Sequence, residues 1–416
     1  MTYKIGLWLV AAFVPLVVAT AQEVPANLAN DECVVCHVDV EALPDGFLMD
    51  NVHMKEGLSC VGCHGGDASS DDEEMAHSGD FVGIPKATDI PQLCGTCHSD
   101  LRIMRRYQPS ASTDQVSQYY TSVHGEKLQQ GDVMVAECAS CHTSHAILPA
   151  SDGRSSVHPL NVPGMCNECH GDADHMAGYG IRTNQYRDYA KSVHGVALLE
   201  RQDTGSPACN DCHGNHGAMP PGVDAIEYVC GMCHVNNAEY FHETNMARAF
   251  NEEELHGCEE CHGIHDVAKT TIEMVGVGDE SVCTACHDEG DDGYRVAEEM
   301  YTQLTALVSA QDSARVLAEE VHKIGMDDLE ISYLQREVNQ SLITARTLVH
   351  TFDPAKTGEV TTVGIETARN AVVLARTEIE AFSFRRLGFG VATLFITILT
   401  VALFFKIREI ESGKDS

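Results

Sequence analysis

Residues 119–145 read YYTSVHGEKLQQGDVMVAECASCHTSH, and the last eight of them decide how the chain folds. Cys138 and Cys141 stand three apart, and His142 follows at once. Two thiols at this spacing can form thioethers to the two vinyl groups of one haem, while the adjoining imidazole reaches its iron. The same block occurs nine times. It opens at Cys33, Cys60, Cys94, Cys138, Cys166, Cys209, Cys230, Cys258 and Cys283. The second cysteines are Cys36, Cys63, Cys97, Cys141, Cys169, Cys212, Cys233, Cys261 and Cys286. The histidines are His37, His64, His98, His142, His170, His213, His234, His262 and His287. The blocks use all 18 cysteines of the chain. Zinc sites and disulfides also employ cysteines, but neither requires a histidine directly after every pair. The expected cofactor is haem c, nine copies, covalently held.

The nine blocks occupy residues 33–287, about 28 residues for each. At that density porphyrins form the core and side chains wrap them. The connections are rich in Gly, Pro, Asp and Ser, which favours short helices and loops over sheet. The expected fold is mainly α with much irregular structure. It comprises a haem-packed multihaem cytochrome domain over residues 22–290, a long-helix bundle or stalk over 291–384, and one C-terminal transmembrane helix over 385–406.

Residues 293–384 contain no cysteine and show helical periodicity. Val296, Met300, Leu304, Leu307 and Val308 mark one apolar stripe; Ile331, Leu334, Val338, Leu342 and Leu348 mark another. Gly325 and the Asp353-Pro354 pair break the pattern. Three long helices are expected, the last running into the membrane. They serve as a stalk, or cover a haem and lend it a ligand.

Residues 1–21 read as a secretion signal, with Lys4 at the basic start, an apolar stretch over 5–18, and Ala19-Thr20-Ala21 before Gln22. Retention of that stretch as an anchor is the competing reading. A second apolar run, residues 387–405, spans ~28 Å as a helix, about one hydrocarbon core. A buried core helix is the alternative there. Arg385 and Arg386 flank the run on one side, Lys406 and Arg408 on the other, so charge alone does not orient it. The signal does. It places the haem region in the periplasm of a bacterium and residues 407–416 in the cytoplasm, with a single pass through the cytoplasmic membrane.

The formal charge is −35, and ionised haem propionates add to it. Nucleic acid is therefore excluded as a partner, and a basic redox protein fits. An acidic surface that merely keeps an exported protein soluble fits as well.

Internal repeats organise the blocks. Residues 119–128 (YYTSVHGEKL) align without gaps on 189–198 (YAKSVHGVAL), and a block opens 14 or 15 residues after the histidine of each. Those blocks carry another histidine three residues beyond the first, giving His145 and His216; His265 repeats the pattern. The blocks at Cys60 and Cys94, Cys138 and Cys166, Cys209 and Cys230, and Cys258 and Cys283 form pairs, with Cys33 alone in front.

With SVHG at Ser122 and Ser192, CHGNHG from Cys212, and a helical C-terminus ending in a membrane span, the chain resembles a known family. This is the membrane-bound multihaem c-type cytochromes with doubled Cys-x-x-Cys-His motifs, the cytochrome c3-like group. The resemblance covers nearly the whole mature chain. It implies electron passage between the quinone pool and periplasmic or outer-surface acceptors, often through a b-type membrane cytochrome or quinol oxidoreductase.

Thirteen histidines lie outside the blocks, enough to give every iron a second axial ligand. The repeat selects His53, His124 and His194 before a block, and His145, His216 and His265 after one. In the first pair the trailing position is Asp67, and His77 substitutes. His350, on the penultimate long helix, serves a remaining haem, with His322 as the other choice. His158, His175, His242 and His256 are weaker candidates. A gapless alignment of residues 241–250 (FHETNMARAF) on the repeat puts Met246 where the other copies hold His124 and His194. Met246 is thus a candidate ligand, with packing of Met246 and ligation by His242 or His256 as the alternative. Irons with two histidine ligands have no vacant position for a substrate, so an electron-transfer protein without catalytic residues is expected. A multihaem reductase or dehydrogenase acting on a nitrogen or sulfur oxyanion, and a haem-stacked filament subunit, are the alternatives.

Overall fold

The computed structural model describes residues 28–40, 42–43, 50–221 and 226–412. The expected secretion signal and the last four residues of the tail lie outside the described residues. Among the described residues there are helices, turns and irregular segments and no strand. The chain packs as two compact units, Met1–Pro220 and Pro221–Ser416. Six blocks fall in the first unit and three in the second.

A helix is the natural seat for each block, because residues i, i+3 and i+4 share one helical face. Both thiols and the imidazole therefore point the same way. Five blocks lie wholly on helices: Glu32–Asp39, Ile90–His98, Cys138–His142, Val162–His170 and Cys209–His213. Side-chain caps fix where they begin. The Asp31 carboxylate accepts from the Val34 amide at 3.2 Å, and Glu137 accepts from the Ala139 amide at 2.6 Å. Such caps satisfy amides that a helix start leaves unpaired.

Three further short helices in the first unit carry a histidine at their second position. They are α1 (Val52–Lys55), α2 (Val123–Gln129) and α3 (Val193–Gly195). Their caps are Asn51, which accepts from the His53 amide at 2.9 Å, and Ser122 and Ser192. The two serines accept from the Gly125 and Gly195 amides at 2.9 and 3.0 Å. Aliphatic packing is sparse here. Leu28, Val34 and Met54 form one buried cluster, and Val162, Leu198 and Ala208 another. Among the described residues, clusters of three side chains are small for a unit of this size, which fits the expected packing around porphyrin.

The second unit contains α4 (Asn245–Glu252) and three long helices, α5 (Asp292–Lys323), α6 (Leu329–Leu348) and α7 (Pro354–Ser412). Gly325 ends the first of these at φ +71°, a left-handed conformation that glycine adopts without steric cost. Asp353 and Pro354 start the last, with the Asp353 carboxylate accepting from the Ala355 amide at 2.9 Å. The three long helices bury Leu304, Leu307, Val338 and Leu342 with Ala314, Ala345, Ala368 and Ala371. Val321, Ile331, Ala318 and Ala375 continue the seam toward the other end. Small residues let α7 come close: a Cβ added at Gly364 would lie 2.7 Å from Leu307 and 2.8 Å from Ser341. Gln303 donates to the Pro354 carbonyl at 3.1 Å, while Arg385 reaches Met326 at 3.9 Å. Helices α5 and α7 therefore run in the same direction, with α6 returning between them.

Beyond Arg386 the helix leaves the bundle. Its apolar residues lie bare, Phe389 at 77% exposure and Phe395 at 67%. It is a helix long and apolar enough to cross a membrane, and its apolar stretch buries nothing inside the fold. That pattern fits a membrane anchor.

Candidate haem sites

Metal–imidazole bonds run to about 2 Å. Two imidazoles gripping one metal from opposite faces therefore have ring centres about 6 Å apart, once each ring's radius is added to its bond. Among the described residues, the following six pairs of histidines stand at that spacing. His37 faces His77, His53 faces His98, His64 faces His145, and His124 faces His170, all at 6.1 Å. His142 faces His216 at 6.2 Å, and His262 faces His350 at 6.1 Å. In every pair one histidine ends a Cys-x-x-Cys-His block and the other lies outside the blocks. These residues fit a haem iron with two axial imidazoles.

The electrostatics suit ligation, which needs neutral imidazole. Burial is the first cause that holds His53, His98, His124, His142, His145 and His170 below the usual histidine range. It does the same for His216, His262 and His350. Backbone carbonyls select the nitrogen. His64 Nδ1 lies 3.0 and 2.9 Å from the Val82 and Gly83 carbonyls, His213 Nδ1 3.1 Å from that of Met219, and His350 Nδ1 3.0 Å from that of Thr347. A proton donated from Nδ1 leaves the Nε2 lone pair for a metal. His287 does the same toward the Asp291 carboxylate at 3.2 Å.

The thiols of successive blocks are neighbours. Burial first, then Asp31 and Cys33, push Cys60 up to about 11. Burial and then Cys94 and Cys97 raise Cys63. Cys138 is raised first by its neighbour Cys94, and Cys166 first by its neighbour Cys209. Cys141 is raised by burial, then by Glu137 and Cys169. In the second unit, burial followed by Cys283 and Cys286 pushes Cys261 up to about 11.

The repeat has a mechanical basis. The Tyr119 hydroxyl donates to the Ala136 carbonyl at 2.9 Å, and the Tyr189 hydroxyl to that of Pro207 at 2.9 Å. Each acceptor lies two residues before the first cysteine of the next block, so the tyrosine ties the histidine-bearing helix to that block. Gly125 and Gly195 pack directly on the Tyr119 and Tyr189 carbonyls, and a Cβ at either would collide with that backbone. Gly125→Ala is therefore expected to cost about 1–3 kcal/mol of stability, the range for overpacked positions. It should also withdraw His124 from His170. Denaturant titration of the holoprotein, followed at the haem absorption, measures both.

Linear reading gave the histidines but not their cross-repeat partners. His53 and His124 face the second block of their own pair, whereas His145 and His216 reach back to the first block of the preceding pair. The Asn51 side-chain amide donates to the His145 carbonyl and joins those two repeats. No sequence signal marks which repeat a trailing histidine serves. His350 stands opposite His262, while His322 is bonded to Asp328 at 2.6 Å between α5 and α6, far along the bundle. His194 and His265 are half-buried at the equivalent positions of their own repeats. Met246 is half-buried and lines a hollow of about 520 Å³ with Tyr240, Thr244, Phe352 and Lys356. Of the weaker candidates, His158 accepts from the Leu160 amide at 3.3 Å and His175 packs on Tyr179 at 6.2 Å. His242 lies against Phe241 at 6.0 Å, and His256 is paired with Glu259.

Residues 52–171, which hold three of the facing histidine pairs whole and His142 of a fourth, match the family model of cytochrome c3. Residues 18–65 match that of cytochrome c554 and c-prime. Taken with the repeated blocks, these matches make the chain similar to multihaem c-type cytochromes, whose domains hold haem c covalently. It is similar to the cytochrome c-type protein NrfB of Haemophilus influenzae, 27% identical over 130 residues, which is 29% of this chain and 48% of that protein. The chain thus spans about half the length of the curated relative it matches. No solved structure matches.

Proposed function

We propose that the chain binds nine haems c and passes electrons along them between the cytoplasmic membrane and periplasmic or extracellular acceptors. The facing histidine pairs carry the reading. Six independent pairs at 6.1–6.2 Å, each with one partner in a block, are the arrangement bis-imidazole iron requires. Irons so ligated are closed to substrate, which supports electron exchange rather than catalysis at these six. Thioether positions mark porphyrin edges. The contacts between thiols of successive blocks therefore support transfer in sequence order, from the first block to the sixth in one unit and from the eighth to the ninth in the other.

The membrane side of the exchange is a quinol pool, a b-type cytochrome or a quinol oxidoreductase. The haem units lie outside the cytoplasm and the tail inside. Similarity to a c-type cytochrome of half-matched length supports the redox role and leaves the partner to experiment.

The mass of the purified full-length protein tests the reading. It is expected to exceed the apoprotein by nine haems, all retained through acid–acetone extraction. A stable product with fewer would identify blocks that are not attachment sites.

A further inference from the structure

The two resolved features of the repeat, its cap and its ligand rule, meet at one residue that is not a histidine. In α2 the Ser122 hydroxyl accepts from the Gly125 amide at 2.9 Å and donates to the Tyr119 carbonyl at 2.6 Å. In α4 the Thr244 hydroxyl accepts from the Ala247 amide at 3.1 Å and donates to the Phe241 carbonyl at 2.7 Å. The two caps are the same structure. Two residues after the cap come His124 in α2 and Met246 in α4; His53 and His194 follow Asn51 and Ser192 at the same interval. Tyr119 and Phe241, which precede the caps at equal distance, are both buried, at 8% and 7% exposure. The helix that bears Met246 is thus a fourth copy of the ligand-bearing helix, by backbone geometry as well as by alignment.

The ligand rule says which iron that copy serves. His53 faces His98 and His124 faces His170, in each case the second block of the pair that follows the helix. Helix α4 precedes the blocks at Cys258 and Cys283. The first of these is already served, since His262 faces His350. The position left to Met246 is the haem of the last block, opposite His287. Its competitors are placed for other work: His322 is bonded to Asp328 at the remote turn of the bundle, His256 is held by Glu259, and His242 lies against Tyr228 and Phe241.

We propose that Met246 and His287 are the axial ligands of the haem at Cys283 and Cys286, and that this haem has the highest reduction potential in the chain. Thioether sulfur favours ferrous over ferric iron, so methionine in place of imidazole raises the potential. An electron travelling from the eighth block to the ninth then comes to rest at the ninth, which makes it the terminal haem of the second unit. This inference rests on the reading that all nine blocks carry haem.

The test uses full-length holoprotein. The oxidised wild type is expected to show the weak far-red charge-transfer band of thioether-ligated ferric haem, at an intensity of one haem in nine. Met246→His should abolish the band and move the highest-potential component of the redox titration downward. Met246→Leu should abolish it and open one ferrous iron per chain to carbon monoxide. Absence of the band from the wild type, or its persistence in both variants, overturns the assignment. The haem count separates the two failures: nine haems without the band defeats Met246 alone, whereas eight haems with Cys283 and Cys286 unmodified defeats the nine-haem reading.

Discussion

A chain carrying His350→Ala is expected to keep all its haem, yet bind one carbon monoxide per molecule when reduced. His350 sits on the short turn between α6 and α7, half-buried, with its Nδ1 held 3.0 Å from the Thr347 carbonyl. The block at Cys258 contributes two cysteines and His262, none of which the substitution touches, so covalent attachment proceeds. What is lost is the second imidazole, and an iron with one axial ligand becomes high-spin and open. One haem in nine should change spin state, and the carbon monoxide difference spectrum measures it. Retention of a fully low-spin spectrum would mean that another side chain serves His262.

Ending the chain before Arg385 is expected to turn a membrane protein into a soluble one with its haem complement intact. Each Leu, Ile, Phe or Val of the apolar span favours the bilayer by about 0.3–0.6 kcal/mol at the helix centre. Residues 387–405 contain many of them, and nothing in the fold covers that stretch. The bundle loses little. Its seam ends at Ala375 and Ile379, and the contact forfeited is that of Arg385 with Met326. Membrane fractionation with haem staining decides the matter. Retention in the membrane would show that the haem units themselves are bound there.

How far the sequence carried depended on the range of each interaction. A Cys-x-x-Cys-His block is a local code, fixed by the helical face that i, i+3 and i+4 share, so the nine candidate attachment sites were legible at once. The three long helices were legible for the same reason, since Leu304, Leu307, Val338 and Leu342 obey a periodicity within single elements. The second ligands were legible only as a set. His145 serves His64 across 81 residues of chain, and nothing local to either says so. The pairing depends on how repeats stack, through contacts such as Asn51 with the His145 carbonyl. His350 stands outside every repeat and was preferred to His322, on the same run of helices; the bundle places the two at opposite ends.

The continuity of α7 has a consequence for reach. From Pro354 to the basic pair at Arg385 and Arg386 the helix rises about 47 Å, at ~1.5 Å per residue. With the apolar span in a bilayer and a typical tilt of about 20°, the site between His262 and His350 stands ~44 Å above the lipid surface. That site is a lamp on a post. On the proposed electron-transfer role, a quinol confined to the bilayer would not touch it, and its electrons would come from other haems or from a protein tall enough to meet it. The post also turns the search for such a protein into one over a plane at fixed altitude. Two anchored partners of matching height meet there at an effective concentration that neither would have free in solution.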